Sequence, residues 1–264
     1  RAGGPDSISH PAALKLVGLV EENRAEGVLT NVLGTWNVIR AAVAHQVDQF
    51  VLISTDKAVA PTNVMGATKR IAETLLDVVP TGQTRMIAVR FGNVLGSAGS
   101  VVPIFRDQIA RGGPVTVTHP DVNRFFMTIP EAVQLVLHSA AIGMSAAVAK
   151  PRKFLLEMGE PVRIADLARQ MIELTGKVPD VDIMIQFTGL KPGEKMAEVL
   201  SDDGEEVSRC LEGIMEIKSA GGGDAVTEQD LQDLVDRAQR DSEEPMSSAA
   251  AVMTLMQGIR EPRR

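Results

Sequence analysis

The sequence predicts an α/β fold: part of a Rossmann-like, doubly wound parallel sheet, a smaller α+β domain, and a partly helical C-terminal tail. Three observations predict it. Residues 49–54 (Gln-Phe-Val-Leu-Ile-Ser) and 85–91 (Arg-Met-Ile-Ala-Val-Arg-Phe) are short continuous apolar runs, the texture of strands covered on both faces. Helical patterns stand before and between them, at 21–45 and 63–79. Strands alternating with helices imply parallel pairing through right-handed crossovers. After Gly96 the texture changes to short, turn-rich segments, which marks a second domain.

The elements follow in chain order. Residues 5–9 (Pro-Asp-Ser-Ile-Ser) are poor strand material. The 21–45 helix lines up Val28, Val32, Thr35, Val38, Ile39 and Ala42 on one face. Beyond Gly96 come Gly112-Gly-Pro114, Val115-Thr-Val117, Pro120 and Phe125-Phe-Met127. A helix over 130–139 starts with proline in its first turn. Another over 164–175 places Ile164, Leu167, Ala168, Met171 and Ile172 together and stops at Gly176. Strands are expected at 154–158 and 182–188. From Ser201 the chain turns acidic, with a hinge at Gly221-Gly-Gly223. Thr227 and Asp230 form a capping pair ahead of the stripe Leu231, Leu234, Val235 and Ala238. Ser248 caps a last helix carrying Val252, Leu255, Met256 and Ile259. The expected division is 1–96, part of a Rossmann domain; 97–200, a substrate domain; and 201–264, the tail.

Composition narrows the function. The 264 residues carry a formal net charge of -7 and no basic stripe, which argues against nucleic acid as a partner. A single cysteine, Cys210, excludes an intrachain disulfide framework and a cysteine metal cluster, and fits a reducing, cytoplasmic setting. Residues 132–149 carry no charge but include Gln134, His138, Ser139, Gly143 and Ser145; these read as a buried helix rather than a membrane span. Tyrosine is absent altogether, so no phenol can serve as acid or base. No metal site is expected.

Ligands of open parallel sheets bind beyond the carboxyl ends of the strands. The first such end reads Ile53-Ser-Thr-Asp-Lys57: two hydroxyls, a carboxylate and an ammonium directly after a buried strand. Such groups are costly to bury unpaired, so they either line a cleft or cap a helix. The second end, Phe91-Gly-Asn-Val-Leu-Gly96, is glycine-rich, but Gly92, Gly96 and Gly99 lack the spacing of the dinucleotide fingerprint. Between the two ends, Met65 and Lys69 are four apart on one helix face. Taken singly, Met65 suits a core and Lys69 a surface pair with Glu73.

Together these residues resemble an extended short-chain dehydrogenase site, with Met65 where tyrosine is expected and Lys69 four residues on. More narrowly, the chain resembles the bacterial nucleotide-sugar 4,6-dehydratases of polysaccharide biosynthesis, which act on UDP-N-acetylglucosamine. The carrying segments are Thr30 to Thr35, Ser54 to Ala58, Pro61 to Arg70, Val89 to Ser97, Arg124 to Thr128 and Gly189 to Lys195. Methionine in the tyrosine slot resembles the long branch of that family, often tethered to the inner membrane.

The resemblance implies NAD as cofactor, a UDP-sugar as substrate and a homo-oligomer. It implies an internal redox dehydration to a 4-keto-6-deoxy sugar. Ser54 and Thr55 would hold the hydroxyl at sugar position 4, Asp56 would protonate the departing hydroxyl, and Lys57 would be the base at position 5. Lys69 would hold the nicotinamide ribose. Ala12, Asn31 and Ser54 would lie on the cofactor side; Asn93, Arg124 and Glu194 would face the nucleotide, Arg124 through its two-pronged fork. The chain also departs from the family: Pro11 removes a backbone donor from the loop His10 to Gly18, and no glycine fingerprint stands upstream. A truncated dehydratase is the first expectation, and a non-catalytic fragment or nucleotide-sugar-binding module the alternative.

Overall fold

The computed structural model describes residues 4–145, 150–219, 226–240 and 251–254. Strand β1 (Ser7–His10) is followed by helices α1 (Val17–Glu22) and α2 (Arg24–Val28), a π-helical turn (Leu29–Leu33) and α3 (Gly34–Ala44). Next come β2 (Gln49–Ile53), a 3-10 turn (Asp56–Ala58), α4 (Val64–Val78), β3 (Arg85–Arg90) and β4 (Asn93–Val94). Then follow α5 (Val101–Ala110), β5 (Val115–Val117), β6 (Asn123–Arg124), β7 (Phe126–Met127), α6 (Ile129–Met144), β8 (Arg152–Leu156) and β9 (Val162–Arg163). The remainder is α7 (Ile164–Glu173), β10 (Ile185–Phe187), β11 (Glu205–Leu211), β12 (Ile214–Ser219) and α8 (Glu228–Arg240).

These elements form two compact units. The first holds residues 1–91, 135–156 and 199–264; the second holds 92–134 and 157–198. The chain therefore returns to the first unit twice, where the sequence put single boundaries at 96 and 200.

The first unit is a six-stranded sheet in the order β1-β2-β3-β8-β12-β11. Pairings from β1 to β8 are parallel; β12 joins β8, and β11 joins β12, antiparallel. The residues read as poor strand material do form β1. They lie beside β2 in register Ser7 to Gln49 through His10 to Leu52, and Asp6 O accepts from the amides of Asp48 and Gln49. The available edge of β2 overrides weak local propensity. The acidic tail is likewise more than a tail: its first part supplies the β11–β12 hairpin. Phe50, Leu52, Met65, Ile71, Leu75, Leu76, Trp36 and Ile39 form the core, joined by Leu231, Leu234 and Val235 of α8.

The single helix expected over 21–45 is broken twice. Asn23 leaves helical geometry (φ -132°, ψ 60°), and residues 29–33 form the π turn. The apolar face survives both breaks, so its periodicity does not reveal them. Helix α4 starts as its sequence asks, with the Asn63 side chain accepting from Gly66 N. A second acceptor, Glu21 Oε1, takes the Val64 amide at 2.7 Å.

The second unit packs Phe105, Val115, Val117, Val122, Ile164, Ala168, Ile172 and Ile185 into its own core. Its sheets are two-stranded: β5 with β10, β4 with β7, and β6 with β9. Helix α7 ends near Gly176, whose φ of +74° suits glycine. Helix α5 was not foreseen. No described helix is long and apolar enough to cross a membrane. The hinge at 221–223, Ser248, Leu255, Met256 and Ile259 lie outside the described residues.

Candidate active site

In the first unit the site residues gather at the carboxyl ends of β1 and β2, as expected of a parallel sheet. The chain leaves β2 through Ser54 and Thr55 and coils into the 3-10 turn at Asp56. Backbone bonds fix this exit: Ser54 N donates to Val89 O at 2.8 Å and Asp56 N to Phe91 O at 3.1 Å. Gly66 lets the turn lie against α4, since a Cβ there would collide with Lys57 O. Ala60, just beyond, holds φ +41°, which costs an L-residue about 1 kcal/mol.

Thr55, Asp56 and Lys57 meet on one carboxylate. Asp56 is wholly buried. Its Oδ1 accepts from Thr55 Oγ1 at 2.8 Å and from Lys57 Nζ at 3.0 Å. Its Oδ2 is buried with no hydrogen-bond partner. A buried unsatisfied carboxylate oxygen is unfavourable, and such exceptions concentrate where a ligand or proton belongs.

Lys69 is not a surface charge. It is 7% exposed and donates to Ile53 O at 2.6 Å. Burial pushes its amine down to about 8, with the Glu73 charge pulling the other way. An ammonium has three protons to give, and among the described residues one is placed. His10 stands nearby; burial lowers its pKa, and the Lys69 charge lowers it further. His10 Nε2 is 3.2 Å from Thr35 Oγ1. That hydroxyl already donates to Asn31 O, so the ring nitrogen is assigned as the donor.

Asn31 sits in the π turn as an interior clamp. Its Oδ1 accepts from Leu14 N at 2.7 Å, and its Nδ2 donates to Leu14 O and Thr68 Oγ1. It thereby ties the loop after β1, which carries the exposed Ala12, to α4. Two expected site residues are placed differently. The Ser54 hydroxyl donates to Glu73 Oε1 at 2.5 Å, away from Asp56. Met65 is 2% exposed, a side chain of the apolar core.

In the second unit, Arg124 and Glu194 come together, with Nη2 3.2 Å from Oε1. Thr118 Oγ1 donates to the same oxygen at 2.9 Å. Arg124 Nη1 donates to Asn123 O and Met196 O, and its Nε lies 3.8 Å from Glu198. Asn93 starts β4, opposite Phe126.

Sequence reasoning missed Arg90 and Glu205 and put Glu73 at the surface beside Lys69; the three share a buried ion network. Arg90 and Glu73 are both 0% exposed. Burial alone would raise the Glu73 carboxyl, but Arg90 outweighs it and holds the group at about 2. The signal was present: a charge inside a buried apolar strand requires a partner.

This geometry defines a class, a Rossmann-like α/β protein with a polar cluster at the carboxyl end of its parallel strands. The comparisons make the class specific. The family model described as polysaccharide biosynthesis protein matches residues 1–219, and the chain belongs to that family. It is 52% identical over 203 residues to the capsular polysaccharide biosynthesis protein CapD of Staphylococcus aureus, covering 76% of this chain and 33% of that protein. The chain spans about a third of the length of the first two curated relatives it matches. Among solved structures it is similar to Pen from Bacillus thuringiensis, with TM-score 0.72, 38% identity, and coverage of 81% of this chain and 66% of that one. The UDP-glucose 4-epimerase of Thermus thermophilus, solved with NAD, shares the fold at TM-score 0.62 and 22% identity, over 75% of this chain and 69% of that one.

Proposed function

We propose that the protein takes part in polysaccharide biosynthesis as a nucleotide-sugar 4,6-dehydratase acting on UDP-N-acetylglucosamine, with NAD as cofactor. The observation that carries this reading is Asp56: one oxygen is held by Thr55 and Lys57, and the other is buried without a partner. An epimerase needs proton and hydride exchange at sugar carbon 4 alone. A dehydratase also needs an acid for the hydroxyl at carbon 6 and a base for carbon 5, and Asp56 and Lys57 stand side by side to supply both.

The proton ledger closes on these residues. Thr55 orients the hydroxyl at carbon 4, and Asp56 Oδ2 accepts its proton, there being no phenol to do so. Lys57 removes the proton at carbon 5. Asp56 then gives its proton to the hydroxyl leaving carbon 6, and Lys57 returns its own to carbon 5. NAD, held by Lys69 and the loop that Asn31 anchors, would supply the hydride acceptor for the sugar, which would lose one water in total. The donor set fits that cofactor: Lys69 has undirected protons for the ribose hydroxyls, and Asn31 fixes the loop that carries Ala12. Ser54 supports this site from beneath rather than touching the sugar. Arg124 and Glu194 bind the nucleotide, with Asn93 beside them.

The test is incubation with NAD and UDP-N-acetylglucosamine, followed by mass spectrometry for the loss of one water. Product that disappears in Asp56→Asn and Lys57→Ala supports the dehydratase. A sugar inverted at carbon 4 with no water lost replaces it with an epimerase. A second reading, a nucleotide-sugar-binding piece without turnover, rests on the Arg124–Glu194 pair of the second unit; calorimetric heat with UDP and no product would establish it.

A further inference from the structure

The Ser54–Lys57 exit is held by more than its own backbone. Below it lies a chain of buried charges. Ser54 donates to Glu73 Oε1. Arg90 grips Glu73 with Nε 2.8 Å from Oε1 and Nη2 2.7 Å from Oε2. The far side of the same guanidinium holds Glu205, Nη1 to Oε2 at 2.7 Å and Nη2 to Oε1 at 2.8 Å. Glu205 opens β11, three places from β3 in the sheet order. Arg70 Nη1 joins it at 3.1 Å, and Asp202 N donates to its Oε2.

We propose that Glu205 is a positioning residue for the Thr55-Asp56-Lys57 cluster, acting through Arg90 and Glu73. The inference rests on the dehydratase reading of that cluster. Two observations carry it. First, Arg90 is fully buried, so no solvent takes over when Glu205 is removed, and Nη1 loses its one acceptor. Second, the residues flanking Arg90, Val89 and Phe91, are the two whose carbonyls hold the Ser54 and Asp56 amides. A tilt of Arg90 therefore reaches the exit by two routes, through Glu73 to the Ser54 side chain and through β3 to the backbone. Glu73 also lies one turn beyond Lys69 on α4, so a single carboxylate serves both the exit and the buried amine.

The experiment is residue-resolved amide hydrogen exchange on the full chain. In Glu205→Gln, exchange at Ser54 and Asp56 is expected to rise about tenfold, with β1 and α8 unchanged. Glu216→Gln is the control: it cuts the Arg152–Glu216 pair of β12, on the same hairpin, and should leave Ser54 and Asp56 alone. Acceleration spread evenly over the first unit, or no acceleration at the exit, overturns the proposal. If Glu205→Gln does not fold, Ser54→Ala tests the same link and must show the same local pattern. Where turnover is measured, Glu205→Gln should lower kcat with KM held, and Glu205→Asp should restore part of it; a change in KM alone overturns the role. Exchange needs no catalysis, so an absent product with local acceleration defeats only the dehydratase reading. Product without local acceleration defeats only the relay.

Discussion

Each unit places an arginine between two glutamates, and the two sites are built to different ends. In the first, Arg90 makes short bonds to both Glu73 and Glu205, and the arginine has no exposed surface. In the second, Arg124 spends Nη1 on main-chain carbonyls, and its glutamates stand at 3.2 and 3.8 Å. Glu194 keeps about a fifth of its side chain in solvent. The first is a closed joint, in which no contact can be exchanged without leaving a bare charge. The second is looser: its glutamates stand farther off, and one keeps solvent contact. An arginine between two glutamates is thus a sealed joint in one place and a loose one in the other, and burial decides which.

That contrast can be broken by substitution. Arg90→Leu should cost the most, about 3–5 kcal/mol, because two buried carboxylates lose their counter-charge; chemical denaturation followed on the first unit reads it. Acid comes next. Glu73 titrates at about 2 in the fold against 4.5 ordinarily, so between those values the unfolded chain binds the extra proton. Its stabilisation is complete above pH 4.5 and lost as pH falls toward 2, a difference of about 3 kcal/mol. The difference between native protein and Glu73→Gln, measured against pH, isolates it. Gly66→Ala pushes a Cβ onto Lys57 O and should cost about 1–3 kcal/mol, with amide exchange at Asp56 rising more than at β1. Smallest is Arg169→Ala, which removes an exposed pair with Asp180; less than about 1 kcal/mol is expected, and a larger fall in melting temperature would undo the distinction by burial.

Much of this was legible in the sequence for a physical reason. Residues 49–54 and 85–91 are apolar on both faces because helices or strands cover both, and nothing but a buried strand of that length fits. The helical pattern over 63–79 placed α4 within a residue at each end. The hairpin of β11 and β12 was hidden because it is an edge structure: β11 has no fully buried residue, so alternation was never imposed on it. Helix α5 was hidden by the glycine-rich loop before it and by Ser100, whose side chain does not cap it. In the site, residue types were readable and partners were not. Thr55, Asp56 and Lys57 are neighbours in the chain and meet on one carboxylate. Ser54 turned toward Glu73 instead, and the acid that completes its support lies 115 residues beyond Arg90. Local spacing does not encode such a contact.

The interleaving of the two units also sets an order of assembly during synthesis. The second unit needs nothing beyond Glu198, so it can close while the first is still unfinished. The first waits for residues 199–219, which bring β11, β12 and the second carboxylate of Arg90. Until they leave the ribosome, β8 has an open edge where β12 will pair, and the Arg90 Nη1 lacks its carboxylate acceptor. Non-local pairing of this kind is slow and exposed to aggregation. Strands β11 and β12 are thus made after β1, β2, β3 and β8, and a nascent chain arrested near residue 200 would carry the Thr55-Asp56-Lys57 cluster above an Arg90 network that lacks Glu205.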